Sequence, residues 1–447
     1  MIEEKMVGGE CPYFACMPAK AMLHAAEIRH TAKQHKQYGH TSQELIFDNS
    51  IEAYTAAVSI RHRVAEHLDD KGAEEGFLKS GAKLIRGRGT IASSGIILAN
   101  ENEYQYEDLV LATGTEFNIP PIKGLDNVSY WTSEDFYTSN ELPETILIIG
   151  GGPVGLEIAQ IAHRFGAQVH VIEVADNIMP AEDKEIALEL QQILIDEGIN
   201  IYTGVQIHNI LENTNVEIDL GDNKKIIGDK LLIAAGKKNN LDKITIKNLE
   251  LNIESSKPIP VDAHLKVKGT TNVWAGGDIT GVAPYTHTAN YHGRIITSNL
   301  LGNLVAADHS AIPRGLYTDP EVASVGISEQ IAESLNINYS TASHPFSDTS
   351  RGFATRNGPG KLKLIANLDT NELIGASVVG PSAGEIIGEA VLAMQAGISI
   401  TAFADAIHPF PTYSEAYEPP LRELAAKIKN KKLTYLLRLF RYHSSDP

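Results

Sequence analysis

Cys11 and Cys16 are the only cysteines among 447 residues, with four residues between them in Gly8-Gly9-Glu10-Cys11-Pro12-Tyr13-Phe14-Ala15-Cys16-Met17-Pro18-Ala19-Lys20. Two thiols cannot staple a chain of this length. A zinc site needs about four ligands, and no further cysteine pair or HxxxH cluster follows to complete one. Two readings of the pair remain: buried cysteines that meet by chance, or thiols that cycle through an intramolecular bridge. Where a glycine turn enters a helix, unpaired N–H groups and the helix dipole lower a thiol's pKa. The spacing and the Gly8-Gly9 turn therefore favour a redox-active disulfide.

Such a pair needs a source or sink of electrons, and a second motif supplies a place for one. Thr145–Ile149 is a continuous apolar, β-branched run of the kind that forms a buried parallel strand. It leads into Gly150-Gly151-Gly152-Pro153-Val154-Gly155, which fits GxGxxG at Gly150, Gly152 and Gly155. A helical pattern over residues 156–166 follows, then a second strand, Gln168–Ile172, ending at Glu173. In such a unit the first glycine makes the turn, the second lets backbone approach a pyrophosphate and the third lets helix pack on strand. Strand, loop, helix and terminal acid together predict a dinucleotide site. Val174 and Ala175 follow Glu173 where arginines would favour a 2′-phosphate, so NADH is expected over NADPH.

The frame around these motifs is large and acidic. At 447 residues several domains are expected, and the formal charge of −18 argues against a nucleic-acid partner. The sequence has no apolar run of transmembrane length and no secretory segment at Met1. A cycling dithiol suits a reducing compartment, and a cytoplasmic protein is expected. Glycines between apolar runs give the texture of an α/β protein.

The cysteine segment closely resembles the redox loop of the flavin-dependent pyridine-nucleotide disulfide oxidoreductases, the group of dihydrolipoamide dehydrogenase, glutathione reductase and mercuric reductase. The resemblance implies that Cys11 exchanges with substrate and that Cys16 faces the flavin. It places Lys20 beside flavin N5, paired with Glu157. Residues 109–115, with Ala112-Thr113-Gly114, look like the family's strand-end signature beside the flavin, and Gly277-Asp278 like its second flavin motif, in which the aspartate binds a ribitol hydroxyl of FAD. Glu3 fits the ribose-binding acid of the first dinucleotide fold. The strand and glycine loop that should precede it are absent from the chain, so this first unit is expected to be N-terminally truncated.

The implied architecture is α/β: two Rossmann-like dinucleotide-binding domains, the first truncated, and a C-terminal α+β dimerisation domain. Its expected boundaries are residues 1–115 and 258–308 for the FAD-binding domain, 116–257 for the NAD-binding domain and 309–420 for dimerisation. In this family each active site borrows residues from the partner subunit of a homodimer, which read His-Pro-Thr-x-Ser-Glu. Here the segment is His408-Pro409-Phe410-Pro411-Thr412-Tyr413-Ser414-Glu415. Glu415 matches the orienting glutamate, but phenylalanine stands at the acid–base histidine, and His408 is expected to be structural. The chain also lacks the C-terminal cysteine pair of mercuric reductases. The expected function is electron transfer between NAD(H), FAD and the Cys11–Cys16 disulfide, in cell redox homeostasis, most like dihydrolipoamide dehydrogenase. The donor or acceptor is expected to be a small molecule or dithiol. A quinone or metal reductase that bypasses a dithiol substrate is the alternative, and an inactive NAD-binding fragment a second one. Residues 421–447 form a basic amphipathic tail, of a type that more often packs on its own protein than lies on a membrane surface.

Overall fold

The computed structural model describes residues 1–38, 51–355 and 359–443, with side chains up to residue 430. The chain divides into two compact units, Met1–Ile172 with Gln206–His309, and Glu173–Val205 with Ser310–Pro447.

In the first unit the expected buried strand forms. Thr145–Ile149 lies between Gln168–Ile172 and Lys230–Ile233, with Tyr130–Trp131 beyond, and every pairing is parallel. Ile146, Leu147 and Ile148 are fully buried, which explains why the run is apolar without alternation. Pro153–Arg164 is the following helix; it begins earlier than the apolar pattern suggests, with Pro153 in its first turn, where a missing N–H costs nothing.

Elsewhere in this unit, Ile2–Glu3 pairs in parallel with Ile85–Arg86, and Leu109–Leu111 with Val273–Ala275. An antiparallel meander, Thr90–Ser93, Ile96–Ala99 and Asn102–Gln105, adds Ile91 and Ile97 to a core shared with Leu111, Val273, Ala275 and Ile279. Helix Cys16–Lys33 buries Ala19, Met22, Leu23 and Ala26, a stripe at helical spacing. It packs against Pro153–Arg164 and against Ile51–Val64.

The second unit is built on a five-stranded antiparallel sheet in the order Arg314–Leu316, Glu321–Gly326, Glu372–Gly380, Lys361–Asn367, Tyr339–Pro345. Helix Ala383–Gln395 covers it, and Leu362, Leu364, Val378, Ala390 and Tyr417 form its core. Buried Lys363 bridges Asp183, Glu185 and Glu329. An isolated charge so placed would cost several kcal/mol, and the three carboxylates offset that. The last helix is Glu418–His443; of the basic amphipathic tail expected over residues 421–447, Arg422 pairs with Glu418 and Lys427 with Glu423, and residues from 431 onward lie outside the described side chains. Among the described residues no helix is long and apolar enough to cross a membrane.

Candidate functional site

Gly8 and Gly9, both at positive φ, turn the chain into a four-residue helix, Glu10–Tyr13, that carries Cys11. Cys16 opens the long helix Cys16–Lys33. The dipole and free N–H groups anticipated for the pair thus fall mainly to Cys16. Both are free thiols and partly buried. The neighbouring Cys16 thiol lowers Cys11 to about 6, helped by the Thr286 hydroxyl and the Lys20 charge and opposed by burial. Cys16 is pushed up, first as the donor to Cys11 and then by desolvation. Cys11 is thus the thiol with the lowered pKa, whereas the resemblance gives the flavin-facing role to Cys16.

One turn into the same helix, Lys20 Nζ donates to both carboxylate oxygens of Glu157, at 2.8 and 2.9 Å. Glu157 is buried on helix Pro153–Arg164, one turn past the glycine loop. The two helices are also tied where Arg29 Nε donates to the Arg164 carbonyl at 3.1 Å. A residue with no sequence signal of its own, Thr286, stands at the start of helix Thr286–Leu300 with its hydroxyl 3.4 Å from Cys16 Sγ. Short hydroxyl-to-thiol contacts leave no spacing pattern, so only the fold reveals it.

The glycine loop divides its labour. A Cβ on Gly150, whose φ is +118°, would lie 2.4 Å from the Ala234 carbonyl oxygen, and one on Gly155 would lie 2.1 Å from that of Gly150. Neither position tolerates a side chain. Gly152, at the helix N-cap, has nothing within 4 Å, so the approach to the helix N-terminus is open. An open helix N-terminus with free N–H groups is suited to a dinucleotide pyrophosphate. Glu173 is buried, and its carboxylate accepts from the Ala175 N–H at 2.9 Å.

Ala112 and Thr113 are exposed at the end of strand Leu109–Leu111, and Gly114 follows at positive φ. The Thr115 hydroxyl reaches the Asp278 carboxylate at 3.5 Å. Desolvation and then the Glu10 charge raise the Asp278 pKa. A half-buried carboxylate with so long a hydrogen bond has capacity for a hydroxyl donor, and a ribitol fits that requirement. Gly277 is buried beside Asp278. Glu3 spends one carboxylate oxygen on the Lys5 N–H at 2.8 Å. Glu10, next to Cys11, is ion-paired with Lys237 at 2.8 Å. Among the described residues no group of three or more His, Cys, Asp or Glu is placed to hold a metal ion.

In the second unit, Glu415 does not orient a histidine: its Oε1 accepts from Ser350 at 3.0 Å, and its Oε2 is buried without a partner. Phe410 is 75% exposed. His408 is clamped by Glu389 at 3.0 Å and Glu418 at 3.5 Å and stacks on Tyr417, the environment of a structural histidine.

Residues 1–293 match the pyridine nucleotide-disulphide oxidoreductase model, and residues 312–420 match that family's dimerisation domain. The chain belongs to this family. It is 31% identical to a dihydrolipoyl dehydrogenase of Thermus scotoductus over 98% of this chain and 93% of that protein. It is 30% identical to a mercuric reductase of Streptomyces lividans over 93% of this chain and 89% of that protein. The HOCl-induced flavoprotein disulfide reductase RclA from Escherichia coli shares the fold, with a TM-score of 0.81 at 23% identity over 94% of this chain and 93% of RclA. As a pyridine nucleotide-disulphide oxidoreductase the chain is a flavoprotein that uses FAD and NAD(H), and its dimerisation domain supports a homodimer.

Proposed function

We propose that this oxidoreductase passes electrons between NAD(H) and a disulfide or dithiol substrate through Cys11 and Cys16, in the manner of a dihydrolipoamide dehydrogenase. The observation that carries the reading is the Lys20–Glu157 ion pair. It joins the helix that begins at the dithiol to the helix that begins at the dinucleotide loop, so both ends of an electron path rest on one rigid contact.

FAD, when bound, supplies the two-electron link between nicotinamide and dithiol. The residues proposed to hold it are Glu3, Lys20, the strand end Ala112-Thr113-Gly114, Gly277 and Asp278. Gly150, Gly152 and Gly155 receive the nicotinamide dinucleotide, and Glu173 favours a free ribose 2′-hydroxyl. Lys20, held by Glu157, would set a positive charge beside the reduced flavin, and the Thr286 hydroxyl would orient Cys16.

Toward a disulfide substrate, the Cys11 thiolate attacks one sulfur to give a mixed disulfide, and the departing thiolate takes up a proton. Cys16 then attacks Cys11, closing the Cys11–Cys16 bond and releasing the second thiol. Two electrons leave the protein, and the reverse sequence oxidises a dithiol. A low-lying Cys11 thiol is the nucleophile this requires.

A second reading has its own support. Phe410 cannot transfer a proton, His408 is held by two glutamates, and Glu415 is engaged with Ser350. A quinone or metal-ion acceptor needs no side chain in that role. The test is to load the purified chain with FAD, add NADH, and record the spectrum and turnover with a disulfide and with a quinone. A one-to-one flavin, a long-wavelength band lost in Cys16→Ser and disulfide turnover lost in Cys11→Ser support the dithiol path. Quinone turnover that survives Cys11→Ser, without disulfide turnover, moves the assignment to the second reading. A protein that retains no FAD sinks both.

A further inference from the structure

Two histidines lie behind the Asp278 turn that the proposed chemistry does not use. His292, on helix Thr286–Leu300, is fully buried. The Gly277 backbone N–H donates to its Nδ1 at 3.1 Å, and its Nε2 lies 2.9 Å from Nε2 of His309. A backbone amide can only donate, so Nδ1 of His292 carries no proton. The neutral ring is then protonated on Nε2 and donates to His309, whose own proton must sit on Nδ1. Any further proton between the rings, or on the Gly277 side, would set N–H against N–H.

The surroundings keep the pair neutral. Burial, and then the neighbouring His309, hold His292 down at about 4. Burial also lowers His309, against the opposing charge of Asp308, and the Tyr291 ring meets it edge-on. The Asp278 carboxylate itself responds to Glu10 and Lys237.

We propose that His292, locked in one tautomer by His309, is a positioning residue that fastens the Gly277–Asp278 peptide to helix Thr286–Leu300 and so fixes where Asp278 meets the flavin side chain. The inference rests on the FAD reading of Asp278 given above. Gly277, at φ +75°, holds a conformation that leaves its N–H directed at the helix, and the helix that receives it also presents Thr286 to Cys16. One helix thereby sets both the carboxylate for the cofactor and the hydroxyl for the thiol.

The experiment uses the full chain in two measurements. In ¹⁵N-histidine-labelled protein at pH 7, His292 is expected as the Nε2–H tautomer and His309 as the Nδ1–H tautomer. In FAD titrations, His309→Leu removes the acceptor and weakens binding about tenfold, the order of one unmade buried hydrogen bond. His309→Gln, whose Oε1 can replace Nε2 as acceptor, stays within about threefold of the unsubstituted chain. A proton on Nδ1 of His292 overturns the proposal, as does equal FAD affinity in the Leu and Gln variants. The two readings fail differently. FAD binding indifferent to Asp278→Asn sinks the role given to Asp278 and the pair with it. A clear Asp278→Asn loss without a His309→Leu loss sinks the histidine pair alone. An unsubstituted chain that binds no FAD overturns both.

Discussion

The dithiol region and the segment from His408 to Glu415 both carry charged groups next to aromatic rings, yet they are wired in opposite ways. Around Cys11 and Cys16 the polar contacts reach the sulfurs or the helices that hold them: Thr286 on Cys16 and Lys20 on Glu157. Around His408 the polar groups serve the fold. Glu389 and Glu418 hold the histidine, Ser350 holds Glu415, and the ring that faces solvent is Phe410. Polar contacts beside the cysteines reach the sulfurs and their helices, while those of the His408–Glu415 segment hold the fold. Under the function proposed above, electron relay and proton transfer are separable requirements.

The comparison breaks most sharply at the cysteines. Cys16→Ser should abolish NADH-driven disulfide reduction by about 10³-fold or more, the scale lost when one member of a covalent relay is removed. Stopped-flow measurement of FAD-loaded protein checks it, and residual turnover within tenfold of the parent would remove the dithiol from the path. The converse change restores rather than removes. Phe410→His should raise dithiol oxidation by up to about 10²-fold, at the lower end of what a positioned acid–base contributes. Because Glu415 is engaged with Ser350, the gain should be larger with Ser350→Ala, which frees the carboxylate to orient the new imidazole. No gain in either variant would show that the segment is not the site of proton transfer.

The legibility of the two regions differed for physical reasons. The glycine loop could be read from sequence because each glycine answers a backbone demand: Gly150 and Gly155 leave no room for a Cβ, and Gly152 keeps the helix N-terminus open. The buried strand Thr145–Ile149 was legible from its apolar run without alternation, because parallel strands are covered on both faces. The C-terminal strands at Glu321–Gly326 and Lys361–Asn367 likewise carry short apolar runs, Val322-Ala323 and Leu364-Ile365-Ala366. Thr286, the His292–His309 pair and Ser350 were not legible. Each is a contact between residues far apart in sequence, made by a common side chain with no spacing rule. The protonation of the cysteines was legible only in part. The helix entry was visible, but which of the two thiols has the lowered pKa was not.

That last point gives a gentler test of the same contrast. Cys11 is expected to alkylate with iodoacetamide in apo protein with a midpoint at about pH 6. Cys16→Ala removes the thiol that donates to it, so the midpoint should move toward the ordinary thiol value of about 8.5. The sign follows from the hydrogen bond: it stabilises the thiolate, and its loss raises the pKa. At pH 6 the thiolate fraction falls steeply, but a more basic thiolate is also a better nucleophile, so the net rate should drop only about tenfold. An unshifted midpoint would locate the cause in Lys20 and Thr286 instead.

The smallest expected effect concerns the ion pair that joins the two helices. Lys20→Met removes the cation that donates to both carboxylate oxygens of Glu157, whose side chain is 7% exposed against 36% for the lysine. The loss should fall between that of a surface pair and a buried one, about 1–3 kcal/mol in urea unfolding of apo protein. Glu157→Gln should cost less, since a glutamine can still accept from Lys20 and carries no buried charge. If Lys20→Met and Glu157→Gln were equally mild, the pair would contribute little to the apo fold. Its role would then rest on the electrostatics of the proposed electron path alone. That outcome would sharpen the contrast with Lys363, whose three carboxylate partners are arranged for stability.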